Sequence, residues 1–260
     1  MNLLQLHNAK HFKFDGEERE DWRIVNTTND TSFSIGRTKS IQTEDGIFQP
    51  IFKGITSELP SFNFEIFKVD LITGEPIEMT KEDMFDLNRW LDRNEPKALV
   101  VDEFMYYGLF SPQTGKWYAN EWGRMELRFD MILPYMLGLP IEDIYEIEGE
   151  ETIIIENDSN VYGDYVYPEF QIGVYEGNTI TIINLENEQT TTLNNLIVDN
   201  IYTIHNQQRQ MINESNVKEN VYANSNKKYQ HLESGDNRIK ITTNGKMVFR
   251  IKWQPKICLQ

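Results

Sequence analysis

Along most of this chain apolar residues recur at every second position, the spacing of strands with a buried face; in one stretch they recur at three and four, as on a helix. That stretch is 80–93, TKEDMFDLNRWLDR, where Met84, Leu87 and Leu91 share a helical face and Trp90 widens it. Thr80 with Asp83 three residues on has the spacing of a capping box. Thr80 can accept a hydrogen bond from a first-turn N–H, and Glu82 and Asp83 sit where the helix dipole favours negative charge. Pro96 prevents continuation. One helix over 80–93, with Trp90 and Leu91 in the core, is therefore expected within a β chain.

Around the helix the period is two. Ser61 to Ile72 (SFNFEIFKVDLI) places Phe62, Phe64 and Ile66 on one face and Phe67, Val69 and Leu71 on the other. Apolar residues on both sides predict a central strand. Ala98 to Val101 and Phe104 to Phe110 also read as strands, and Ser111 to Gly115 as a turn. From Arg124 to Leu133, Met125, Leu127, Phe129 and Met131 alternate with charged residues, the mark of a half-buried strand. Upstream, Asn8 to Ile55 holds shorter pieces (KHFKF, DWRIV, TSFSI, GIFQPIF) separated by turn chemistry such as Asp15-Gly16 and Asp45-Gly46.

Beyond Pro134 to Pro140 only strands are predicted: ETIII, YPEFQIGVY, TITIINL, EQTTTL, LIVDNIYTI, RIKITT and KMVFRIKW, spaced as in a β-sandwich. Ile141 to Glu151 carries six acids and no base and reads as a linker, which divides the chain into 1–140, with the helix 80–93, and 141–260. The last two runs suggest a hairpin. A two-residue Asn244-Gly245 loop would waste the apolar face. A three-residue loop, Thr243 to Gly245, sets Ile241 against Met247 and Ile239 against Phe249, so the expectation is a type I turn with Gly245 left-handed in a G1 bulge.

Composition narrows the function classes. The 260 residues are 39% hydrophobic and carry a formal net charge of -16, enough apolar material for real cores and too little clustered base for a nucleic-acid binder. Lys227 to Gln260 is locally basic, with eight bases against Glu233 and Asp236, which suggests self-association, an acidic partner or a solvated sheet face. No apolar run approaches the ~20 residues of a membrane span, and the first residues lack a signal-peptide core, so no membrane partner and synthesis in a cytoplasm are expected. Cys258 is the only cysteine.

No residue set announces catalysis. A glycine-rich phosphate loop, a dinucleotide fingerprint and HExxH are all missing. His7 and His11 have i, i+4 spacing in a segment that reads as extended, without a third ligand. Asp158, Asn160, Gly163 and Asp164 sketch a calcium loop with the wrong spacing, which reads as a polar turn. Asp102 and Glu103 invite a general acid and base, but neighbouring strand residues face opposite ways. Trp122-Gly123 with Glu126 and Arg128 is one residue out of register with a galectin sugar motif. The expectation is no catalytic, cofactor-binding or metal residue, and no enzyme.

The order of these pieces resembles the distal tail proteins of long-tailed bacteriophages. In the first half the resemblance rests on FNFEIFKVDLITGEPIEMTKEDMFDLNRWLDRNEPKALVVDE, YYGLF and GRMELRFDMILPY. In the second it rests on IIIENDSNVYGDYVYPEFQIGV, TITIINL and HLESGDNRIKITTNGKMVFRIKW, where Leu232, Gly235, Asn237 and Ile239 match the family's L-x-x-G-x-N-x-I habit. It implies a mainly β chain with an N-terminal β-domain that carries one packed helix, followed by a galectin-like β-sandwich. It also implies a homo-hexameric ring at the tail tip of the virion, joining the tail tube protein to the tail hub and receptor-binding parts, with DNA only in transit. A second reading is a carbohydrate-binding, lectin-like protein with Tyr162, Tyr165 and Tyr167 as stacking aromatics; a third is a glycosidase fragment built on the acid pairs.

Overall fold

The computed structural model describes residues 9–27, 37–42, 51–57, 59–112, 123–161 and 163–258. The chain divides into two compact units, Met1–Leu137 with Cys258–Gln260, and Gly138–Ile257. Both are built mainly from antiparallel strands, and the first also holds the helix.

The first unit runs β1 (Phe12–Phe14), β2 (Glu17–Glu18), β3 (Trp22–Asn26), β4 (Arg37–Gln42), β5 (Ile51–Ser57), β6 (Ser61–Val69), β7 (Pro76–Ile77), α1 (Lys81–Leu91), β8 (Lys97–Val101), β9 (Phe104–Pro112), β10 (Arg124–Met131) and β11 (Met136–Gly138). Its main sheet has the order β2-β1-β8-β9-β10-β6-β3, with β4 and β5 paired apart from it. Lys10, just ahead of β1, exchanges two 3.0 Å backbone hydrogen bonds with Ile24 of β3, so the sheet curls until its ends meet. Phe14, Phe64, Phe110 and Phe129 fill the interior edge to face, with centroids 4.9 to 6.4 Å apart. β6 does bury both faces, since Phe67 and Val69 form a second cluster with Val25. Leu71 does not belong to it: Asp70 accepts from the N–H groups of Ile72 and Thr73, ending the strand in a turn that leaves Leu71 and Ile72 exposed. The TSFSI run, most of GIFQPIF and the end of the Ser111–Gly115 turn lie outside the described residues; Ser111 and Pro112 belong to β9.

Helix α1 forms for the reasons its sequence supplies. Thr80 Oγ1 accepts from the Asp83 N–H at 3.2 Å and Asp83 Oδ2 accepts from the Thr80 N–H at 2.9 Å, so both halves of the capping box are present. Leu87, Trp90 and Leu91 are buried. The Trp90 indole donates to the Phe14 carbonyl at 3.2 Å and stacks on Phe12 at 5.0 Å, and the Arg19 guanidinium lies 4.6 Å over its ring.

The second unit contains β12 (Ile141–Asn157), β13 (Glu169–Val174), β14 (Ile180–Asn184), β15 (Gln189–Leu193), β16 (Ile201–His205), β17 (Gln210–Asn213), a 3-10 turn (Val221–Asn224), β18 (Gly235–Trp253) and β19 (Lys256–Ile257). The 19-residue β18 organises it. One edge of β18 takes β12 along its whole length, while the other takes β14 on Ile239 to Thr243 and β13 on Met247 to Lys252. The two half-sheets thus share a ribbon, and they curl over one core that includes Ile153, Ile182, Phe170, Ile172, Tyr202 and Phe249.

Two expectations fail here. Ile141 to Glu151 is not a linker but the first part of β12, its acids lying on an exposed strand. Thr243 to Gly245 is not a hairpin turn: β18 continues through it, Ile241 pairs with Glu151 and Ile182, and Gly245 is not among the positive-φ residues. The pairing with β12 slips at this point: between Glu148–Lys246 and Glu150–Thr242 three residues of β18, Thr243 to Gly245, stand opposite the single Gly149, which takes φ 79°. Gly245 is needed for proximity instead, because a Cβ there would stand 2.3 Å from the Glu176 carbonyl oxygen. The turn belongs to Glu176-Gly177-Asn178, with Gly177 at φ 84°, and Asn244 clamps it by accepting from the N–H groups of Asn178 and Thr179.

Candidate interaction surfaces

The described residues considered for chemistry do not gather into one site. Asp102 and Glu103 are not strand residues but the two-residue connection between β8 and β9, where Val101 pairs with Phe104 and Asp102 takes φ 54°. His11 Nδ1 lies 4.0 Å from the Glu18 carboxylate, and His7 lies outside the described residues. At the polar turn after β12, the Lys256 ammonium donates to the Asp164 carboxylate and to the Tyr165 carbonyl, both at 2.7 Å, so the chain's own cation sits by oxygens that resembled calcium ligands. Among the described residues no three His, Cys, Asp or Glu side chains gather as a metal site would require.

Two of the tyrosines considered as a sugar platform, Tyr165 and Tyr167, pack on a ring of the protein itself. Tyr165 stacks on His231 at 3.9 Å and Tyr167 meets the same ring edge-on at 6.0 Å; Tyr162 lies outside the described residues. His231 is in turn held by Gln189 at 2.8 Å and Glu233 at 3.0 Å.

The L-x-x-G-x-N-x-I residues form a structural latch. Leu232 is buried and its N–H donates to the Val166 carbonyl at 2.7 Å, while Gly235 takes φ 88° so that the chain can turn into β18. Asn237, fully buried, accepts from the Glu233 N–H and from Asn184 Nδ2, and donates to the carbonyls of Glu233 and Gly235. All four hydrogen-bonding positions of that amide are used, which explains why Asn stands there.

Two surfaces remain exposed and organised. On the outside of the β12–β18 ribbon, Glu142 faces Arg250 at 3.5 Å, Glu146 faces Lys246 at 3.1 Å and Glu150 faces Lys240 at 2.8 Å. The basic stretch near the C-terminus therefore meets acids of its own chain, those expected to form a linker. Beside this row, on the outer face of β18, β13 and β16, lies a trough of about 340 Å³ lined by Gln171, Gly173, Tyr175, Asp199, Val248 and Arg250 among others. Sequence reasoning does not single these out; their only signal is a glycine inside an otherwise apolar alternating run. In the first unit, apolar side chains stand in water around the turn after β6 and on α1: Ile72 is 95% exposed and Phe85 66%.

Residues 140–251 match the family model described as phage tail C-terminal domain. Over nearly its whole length the chain is similar in structure to the Dit protein (gp 19.1) of SPP1, described as a paradigm of the hub adsorption apparatus in Gram-positive-infecting phages. The TM-score is 0.63 at 10% identity, covering 95% of this chain and 98% of that one. It is also similar to a chain of the phage p2 baseplate in its activated conformation, with Sr (TM-score 0.51, 12% identity, 94% of this chain and 97% of that one) and with Ca (0.51, 12%, 96% and 99%). No curated protein sequence matches at a significant level.

Proposed function

We propose that this chain, which has the distal tail protein fold and carries a phage tail C-terminal domain, is a structural component of a phage tail tip that closes a hexameric ring between the tail tube and the tail hub or baseplate. The observation that carries the reading is coverage: both units, in order, are matched by the SPP1 Dit protein, with little of either chain left over. The function is one of connection, without catalysis, and receptor-binding proteins attach below the ring.

The surface chemistry supports such an assembly. A chain of net charge -16 repels its copies, so subunit contacts must come from apolar and hydrogen-bonded surface. The exposed Ile72 and Phe85 of the first unit supply apolar surface that would leave water on ring closure. The acidic excess then suits a channel that DNA crosses, because like charge keeps phosphate from sticking to the wall.

Light scattering followed by electron-microscope class averages of the purified protein tests this. Six-fold rings that persist or strengthen as salt rises are expected, and Ile72→Glu with Phe85→Glu should shift the protein to smaller species at an unchanged melting temperature. A chain that stays monomeric at high concentration and moderate salt, and is absent from the tips of assembled particles, would refute the reading. A channel lined by Lys and Arg would refute its electrostatic part alone.

A further inference from the structure

The trough on the second unit has a construction that selects its ligand. Strand register sets Val248, Gly173 and Ile201 side by side on β18, β13 and β16, and the next outward row is Arg250, Gln171 and Thr203. Gly173 contributes no side chain between two aliphatic neighbours, so the trough exists because that one position is empty. Tyr175, 58% exposed, stands at one end beyond Gly173, and Arg250 and Asp199 bring polar groups to the edge.

The mixture excludes most ligand classes. A purely apolar occupant would strip water from Arg250 and Asp199 without replacing its hydrogen bonds. An anion would meet Asp199 and, beside the trough, Glu142 and Glu214, which contact Arg250 and Gln171. A cation would meet the Arg250 guanidinium. A neutral polyol fits, since each hydroxyl both donates and accepts: Arg250 has five N–H donors, of which Glu142 at 3.5 Å meets Nε, and Asp199 accepts. The exposed tyrosine ring offers a flat apolar surface to the C–H face of a sugar. A volume of about 340 Å³ is at the small end of ligand sites, which run roughly 300 to 1,000 Å³.

We propose that this trough is a binding site for a neutral saccharide, with Tyr175 stacked on a pyranose ring and Arg250 and Asp199 hydrogen-bonded to its hydroxyls. A single shallow subsite binds weakly, with millimolar affinity, and gains strength only when several copies are displayed together.

Saturation-transfer NMR on the full-length protein tests it, using methyl glucoside, galactose and N-acetylglucosamine, with glycerol phosphate as the anionic comparison. At least one neutral sugar should receive magnetisation and glycerol phosphate none. Gly173→Val should abolish the signal without unfolding the protein, because a Cβ there has its nearest neighbour at 3.9 Å. Tyr175→Ala should abolish it too, and Tyr165→Ala, outside the trough, should not. Melting temperatures of all variants separate loss of the site from loss of the fold. The proposal is overturned by silence from every neutral sugar, by a signal that survives both Gly173→Val and Tyr175→Ala in folded protein, or by binding of glycerol phosphate alone.

Discussion

The two units fill their interiors by different means. In the first, the buried side chains among the described residues are aromatic or aliphatic, from Phe14 and Phe110 inside the curled sheet to Trp90 on the helix. In the second, ten polar side chains are buried among the described residues, including Asn157, Asn184, Asn206, Gln230 and Asn237. The difference follows from what each unit must cover. A helix satisfies its own backbone, so α1 can lay a wholly apolar face on the sheet. The second unit covers its core partly with irregular chain before β13 and before β18, whose backbone groups need partners. Asn206 supplies them to Pro168 and Gln230, Asn184 to His231, and Thr191 to Lys228. One core is held by volume and the other by satisfied hydrogen bonds, so they should fail differently.

The largest expected effect breaks the first kind. Trp90→Ala removes the biggest fully buried side chain among the described residues, together with its stacking on Phe12 and its bond to the Phe14 carbonyl. The cost should be about 3 to 5 kcal/mol, the range for truncating a buried large aromatic. Hydrogen exchange read by peptide localises it: protection should fall over 12–14 and 81–91 and hold over 239–251. Equal loss in both units would mean that they do not unfold separately.

Asn237→Ala breaks the second kind with little change in volume. It leaves the half-buried Glu233 N–H without its 2.8 Å acceptor and takes from the buried Asn184 amide one of its partners, at about 1 to 3 kcal/mol for polar groups left unsatisfied. Protection should drop over 229–239, with the helix unchanged. A loss confined to the noise would show that water replaces the amide, and that the polar latch is ornamental to stability.

The same contrast sets what could be read before the fold was known. Volume-filling elements announce themselves locally: the spacing of Leu87, Trp90 and Leu91, the Thr80–Asp83 box and the alternation in β10 all survive in the structure with shifts of a residue or two at the ends. The polar core does not announce itself, because an asparagine that stitches two loops looks like one that makes a turn. Asn244-Gly245 shows this most clearly. The inward set Asn237, Ile239, Ile241, Thr243, Met247, Phe249, Ile251 and Trp253 keeps one parity throughout, which a three-residue hairpin loop and an unbroken strand satisfy equally. Only the distant Glu176-Gly177-Asn178 turn, pressed against it, decides between them. Strand β17 and the trough were hidden for a related reason: the first is four residues long with polar residues at both ends, and the second is assembled from rows of three strands far apart in the chain.

The smallest effect sharpens the comparison at the helix, where the first unit does use charge. Asp83 bonds Lys68 of β6 at 2.8 Å while capping α1, and Lys68 also lies 3.4 Å from Asp21. The Lys68 ammonium holds the Asp83 carboxyl below its usual value of 3.8, outweighing the cost of partial burial, and Asp83 raises Lys68 above 10.5. The signs fix two windows. Asp83, depressed in the fold, contributes fully above 3.8, and the contribution disappears as pH falls through its folded value. Lys68, raised in the fold, contributes fully below 10.5 and loses its contribution as pH rises through its folded value. Between those limits the pair should contribute about 1 kcal/mol, since both side chains keep some contact with water. Asp83→Asn preserves most of the cap and removes the charge, so the stability gap between it and the native protein should be constant near neutral pH and close as pH drops well below 3.8. A gap that stays open in acid would mean that the carboxylate acts at this site through its cap geometry, and that the first unit is held by packing alone.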